Sequence, residues 1–147
     1  MKRISSSSKL LTTSSFFFAI PGLYSYMYYG LYFPPLFLFT TSVVSANYWR
    51  DALDDWRRKL DIYLARMTFL YFFGASMYYV PPKLNVLCGI PSLTGILYCY
   101  HKSHDEYDKG KKHWKYWHFG FHSMVTCQLF LTLTYMGKNY LKLKNSK

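Results

Sequence analysis

Acidic residues are scarce in this chain: seven of 147, against 18 lysines and arginines, for a net charge of +11 and a pI near 9.6. Cysteine is scarcer still, and three is an odd number, which argues against a disulfide framework. No glycine-rich phosphate loop, Walker sequence or G-x-S-x-G elbow is present, so none of the reaction classes those motifs serve is indicated. There is no internal repeat and no charged tail, and the length suits one domain.

Charge is also missing from most of the chain. All 25 charged residues lie within 51 positions, and the other 96 form four uncharged runs, residues 10–49, 67–82, 84–101 and 116–137. A surface helix or strand of a soluble domain interleaves charge with apolar residues at its own period, and these runs do not. A 51% hydrophobic and 22% aromatic composition excludes intrinsic disorder and, despite the positive charge, argues against a soluble nucleic-acid-binding domain. The mean hydropathy of −0.06 averages two separate populations. The expected fold class is all-α, a polytopic membrane bundle of about five transmembrane helices, or four if the first is not a span.

One span needs about 20 mostly apolar residues at 1.5 Å per residue. The run 10–49 therefore reads as two spans, about 13–32 and 35–50, broken at Pro34-Pro35. The next spans are about 61–80, ended by Pro81-Pro82, then 84–100, with its kink expected in GIPSLTG, then 116–136. Arg66, near the start of the third, can snorkel to the head groups. Trp114, Tyr116 and Trp117 stand at the entrance of the last as an interfacial aromatic belt does. The Ser/Thr-rich start SSSSKLLTTSS also resembles a targeting segment.

Five spans sort the cations by side. Lys2, Arg3, Lys9, Arg50, Arg57, Arg58, Lys59, Lys102, Lys109, Lys111, Lys112 and Lys115 fall on one side, Lys83, Lys138, Lys142, Lys144 and Lys147 on the other, 12 against 5. The positive-inside rule then predicts an integral membrane protein with a cytosolic N-terminus and an outer or lumenal C-terminus. Cys88, Cys99 and Cys127 all fall in spans and read as small apolar packing groups.

A few polar residues within the spans are not explained by membrane insertion. His118 and His122, in WHFGFH, are four residues apart on one helix face, a spacing that suits two ligands of one metal ion and also suits packed histidines bonded to carbonyls. Asp61 follows Arg57 and Arg58 by four and three residues, so a surface ion pair competes with a catalytic role. Ser42, Ser45 and Asn47 close the second span, where helix–helix hydrogen bonding is the common outcome. The serines, Asp61 and the histidines nevertheless share one leaflet: Ser45 is about 7 Å deep, His122 about 10 Å and Ser42 about 12 Å.

A serine late in one span, an aspartate in the next and H-x-x-x-H in the last resembles the superfamily of intramembrane metal-dependent hydrolases that includes alkaline ceramidases and the progestin and adipoQ receptors. The likeness covers about half of the chain. It implies zinc held by His118 and His122, with Asp61 and Ser45, or alternatively Ser42, positioning a water molecule. The substrate implied is a ceramide-like lipid amide or ester, hence a role in lipid metabolism. Zinc would lower the pKa of that water toward ~7 and polarise the carbonyl. The chain departs from the family in two places. It has five expected spans rather than seven, and the third histidine, four residues after the serine, is replaced by Trp49. His113, His104 or His101 is left as a substitute third ligand.

The competing class is a non-catalytic accessory or assembly subunit of a membrane complex, partnered by membrane lipids, by other membrane proteins or by copies of itself, and not by nucleic acid. The basic end YLKLKNSK suits anionic head groups. Tyr24, Tyr26, Tyr28, Tyr29 and Tyr32 cannot all face one neighbour, so some should meet lipid or a partner chain.

Overall fold

Glycine and proline cut the long uncharged runs into rods, and a computed structural model describes these for residues 9–52 and 55–146. The first rod is α1 (Lys9–Ser15), a single 3₁₀ turn (Phe16–Phe18) and α2 (Ala19–Tyr29). Gly30 ends it in the left-handed region at φ 65°, and its N–H and that of Leu31 return to the Tyr26 and Ser25 carbonyls. The break thus precedes the expected Pro34-Pro35. Those prolines instead sit in the first turn of α3 (Phe33–Asp51), where a missing N–H leaves no helical bond unmade.

The third rod, α4 (Trp56–Tyr79), begins five residues before the expected span because Asp55 caps it, accepting from the Arg57 N–H at 2.9 Å. It stops at Val80, extended before Pro81-Pro82 as expected. The fourth rod comprises α5 (Pro82–Leu84), a π turn (Asn85–Gly89) and α6 (Ile90–Asp108). The irregularity falls mainly ahead of GIPSLTG, because Pro91 acts on the turn before it: its ring crowds the carbonyl four residues back, and a wider turn makes room. Asn85 ties this turn to the end of α4, donating to the Ser76 and Val80 carbonyls at 3.0 and 3.2 Å while Ser76 Oγ donates to its Oδ1. The fifth rod, α7 (Trp114–Asn145), follows a tight turn at Gly110.

These five rods form an all-α bundle in which α7 touches α1, α2, α4 and α6, and α3 packs on α1, α2 and α4. Three layers stack along it. One end holds Leu11, Tyr48, Trp49, Ala52 and Trp114. Further along lies an apolar core that includes Phe18, Leu38, Phe72, Leu129 and Leu133. Between them, on the same helices, come Ser14, Ser15, Ser42, Ser45 and His122, all buried. Ser14, Ser15 and Leu11 make the α1 segment part of the interior.

The outer surface has the opposite character, with Met27, Tyr28, Leu36, Leu70, Tyr78 and Leu87 all exposed. Tyr24 and Tyr29 meet through their hydroxyls at 3.1 Å, whereas Tyr26 and Tyr28 on the first rod, and Tyr32 just after it, are exposed, so these tyrosines do not share one neighbour. The cysteines are free, with Cys99 buried and Cys88 and Cys127 exposed. Among the described residues, no helix is long and apolar enough to cross a membrane. Lys2, Arg3 and Lys147 of the charge count lie outside the described residues.

Candidate functional site

The buried polar layer is built from helix faces. On α3, Ser42 and Ser45 lie three residues apart and face α1: Ser42 Oγ donates to the Ser15 carbonyl at 2.9 Å, and Ser15 Oγ lies 3.2 Å from Ser45 Oγ. Ser45 in turn hydrogen-bonds the Asp61 carboxylate on α4. Asp61 therefore turns inward to a serine, while its expected partner Arg57 is taken elsewhere. Arg57 bonds Asp55 and Asp51, each at 2.9 Å, because the α3–α4 connection brings both carboxylates to it. Asp55 first and Asp51 second hold the Arg57 guanidinium above its ordinary pKa, and Arg57, aided by Arg50, holds Asp51 below the usual carboxylate range.

On α7, His122 is 2% exposed and its Nδ1 lies 2.8 Å from Ser14 Oγ of α1. His118, one turn earlier, has its Nδ1 3.3 Å from Ser103 Oγ of α6. The two imidazole rings meet edge to face with centroids 4.9 Å apart, as the i, i+4 spacing requires. Both are thus held through Nδ1 by a serine, leaving Nε2 as the ring atom for a ligand.

The structure therefore gathers Ser42, Ser45 and Asp61 around Ser15, sets His122 against the adjacent Ser14, and leaves His118 one turn away, against Trp49 and Trp114. It also brings in residues not singled out from the sequence: Ser14 and Ser15 from the targeting-like start, and Ser103. A usable signal for Ser103 was its place in the stripe Cys99, Ser103, Glu106, spaced i, i+4, i+7 on one face of α6, all three buried. Glu106 keeps one carboxylate oxygen, Oε2, buried and without a hydrogen bond, while Oε1 is 3.9 Å from Lys102 Nζ.

A catalytic zinc site takes three protein ligands and an open position, and among the described residues no group of three or more His, Cys, Asp or Glu could hold a metal ion. Trp49, at the third-histidine position, packs its indole edge-on against His118 with centroids 4.8 Å apart, and an indole offers no lone pair to a metal. His113 does not replace it: it is exposed at the start of α7, its ring against Tyr116. His101 and His104 are exposed on α6, where both rings contact Tyr100. No protein-family model, no curated protein and no solved structure matches this chain.

Proposed function

We propose that the chain is a multi-pass membrane protein whose five rods cross a bilayer. The observation that carries this reading is the distribution of polarity: a buried layer of Ser14, Ser15, Ser42, Ser45 and His122 inside, and large apolar side chains such as Leu36, Leu70 and Tyr78 outside, at 62–79% exposure. Water would leave those side chains without the roughly 25 cal/mol per Å² that burial returns. In hydrocarbon the outward residues are solvated and the hydroxyls must pair internally, as they do here. The 24 and 32 residues of α4 and α7 rise about 36 and 48 Å, more than the ~30 Å of a hydrocarbon core. Their apolarity is lowered on α4 by the exposed Arg66 and on α7 by His122, Thr126 and Thr132, which face the interior. The end bearing Arg50, Arg57, Lys109, Lys111 and Lys112 is assigned to the cytosol by its charge. Retention in the membrane pellet after alkaline carbonate washing is the expected result, and release into the supernatant would overturn the reading.

Within that reading, the chain is a non-catalytic accessory or assembly subunit. Trp49 in the third-ligand position supports this over the zinc-dependent lipid hydrolase. One observation favours the hydrolase, namely the paired imidazoles held through Nδ1. Zinc per purified chain separates the two. Sub-stoichiometric metal is expected in the wild type and in His122→Ala, rising toward one per chain in Trp49→His. Stoichiometric zinc in the wild type that is lost in His122→Ala would establish the hydrolase instead.

A further inference from the structure

On the outer face of the bundle, α1, the 3₁₀ turn and α3 enclose an open groove of about 380 Å³. It has a direction. Phe16 and Val43, 51% and 58% exposed, line its apolar part, and Asn47 and Arg50 line the part nearer the cytosolic end. From Val43 to Arg50 the groove follows two turns of α3, about 10 Å of rise, close to the length of a glycerol unit plus the first several methylenes of a chain.

Among the described residues, the charge at its polar end is only partly matched. Arg50 reaches the Asp51 carboxylate through Nε and Nη2 at 3.4 Å, the outer limit of a hydrogen bond, because Arg57 holds the same oxygen at 2.9 Å. The Arg50 side chain remains 66% exposed. Lys9, also exposed, starts α1 at this same end, since its neighbour Leu11 packs with Tyr48, Trp49 and Ala52.

We infer that this groove holds one anionic phospholipid, its phosphate on Arg50 and Asn47 and its acyl chain along Phe16 and Val43. A guanidinium offers a forked set of donors that matches phosphate oxygens, and its attraction is strongest where one carboxylate already serves another arginine. Charge complementarity selects an anionic over a zwitterionic head group, and the apolar half of the groove selects a lipid over a free anion. The inference rests on the membrane reading above.

Native mass spectrometry of the full chain in detergent, stripped of lipid and titrated with phosphatidic acid, phosphatidylcholine or inorganic phosphate, tests it. A single phosphatidic acid adduct is expected, with phosphatidylcholine and phosphate each binding at least fivefold more weakly. Arg50→Gln should cut the adduct about fivefold by removing the charge. Val43→Trp, which fills the apolar half without touching the charge, should do the same, and Lys142→Gln at the far end should leave it unchanged. Undiminished binding in Arg50→Gln or Val43→Trp would overturn the inference, as would a loss in Lys142→Gln equal to theirs or equal binding of inorganic phosphate. Such a failure, in a protein that survives carbonate washing, removes the lipid site and leaves the membrane reading standing.

Discussion

The buried polar layer turns on single hydroxyls. Ser14 and His122 meet at 2.8 Å with 0% and 2% of their surfaces exposed, and Ser14 Oγ also donates to the Leu11 carbonyl at 3.2 Å, so removing Ser14 leaves a buried imidazole nitrogen without its partner while removing His122 leaves the hydroxyl with one bond of its two. A buried polar group left unsatisfied costs about 1–3 kcal/mol, whereas removing both members of a pair costs much less than twice that. Ser14→Ala and His122→Phe should each lower the thermal midpoint in detergent, and the double variant should lose less than the sum of the two. Strict additivity in such a cycle would mean that the contact contributes nothing. The histidines, Asp61 and Ser45 were legible in the sequence because ionisable or hydroxyl groups stand out in uncharged spans. Ser14, Ser15 and Ser103 were not, since a serine at a charged or Ser/Thr-rich end looks the same whether it faces inward or outward. Trp49 stood out only against the spacing expected for a third histidine, and its contact with His118 needed the fold.

At the scale of elements, small residues decide where rods approach. The Tyr29 ring of α2 occupies the place that a β-carbon on Gly137 of α7 would take, whereas at Gly95 of α6 the neighbour is the flexible end of Met124. Gly137→Ala should therefore destabilise by about 1–3 kcal/mol through overpacking. Gly95→Ala should be tolerated, because a methionine tip can swing aside. Thermal denaturation of the two variants side by side checks this, and equal midpoints would contradict it. Asn85 has a comparable task at the π turn, where it serves two carbonyls and a hydroxyl at the end of α4. Asn85→Ala should cost about 1–3 kcal/mol and speed amide exchange around Ser76 and Val80, with unchanged exchange counting against that assignment. The breaks themselves show what proline signals do and do not reveal. Val80-Pro81-Pro82 ended a helix as expected. Pro34-Pro35 began one, and Gly30, whose left-handed φ has no side-chain signature, ended the helix before it.

For the whole molecule, charge and polarity are sorted along different axes. Cations collect at the ends of the bundle, a set of serines and threonines with His122 in its interior, and many tyrosines, phenylalanines and leucines around its girth. The uncharged runs foretold five rods. Which face of each rod looks inward was hidden, because a helix ringed by apolar residues has no strong apolar stripe, and the small polar residues mark its interior side instead. What touches that girth, lipid or water, decides the bilayer assignment. Spin labels placed singly at Leu36, Leu70 and Val86, with Lys111 as the loop control, would report collision with apolar oxygen and with a water-soluble nickel chelate. The three girth positions should be open to oxygen and closed to nickel, and Lys111 the reverse. Nickel reaching Leu70 as freely as Lys111 would contradict the bilayer assignment.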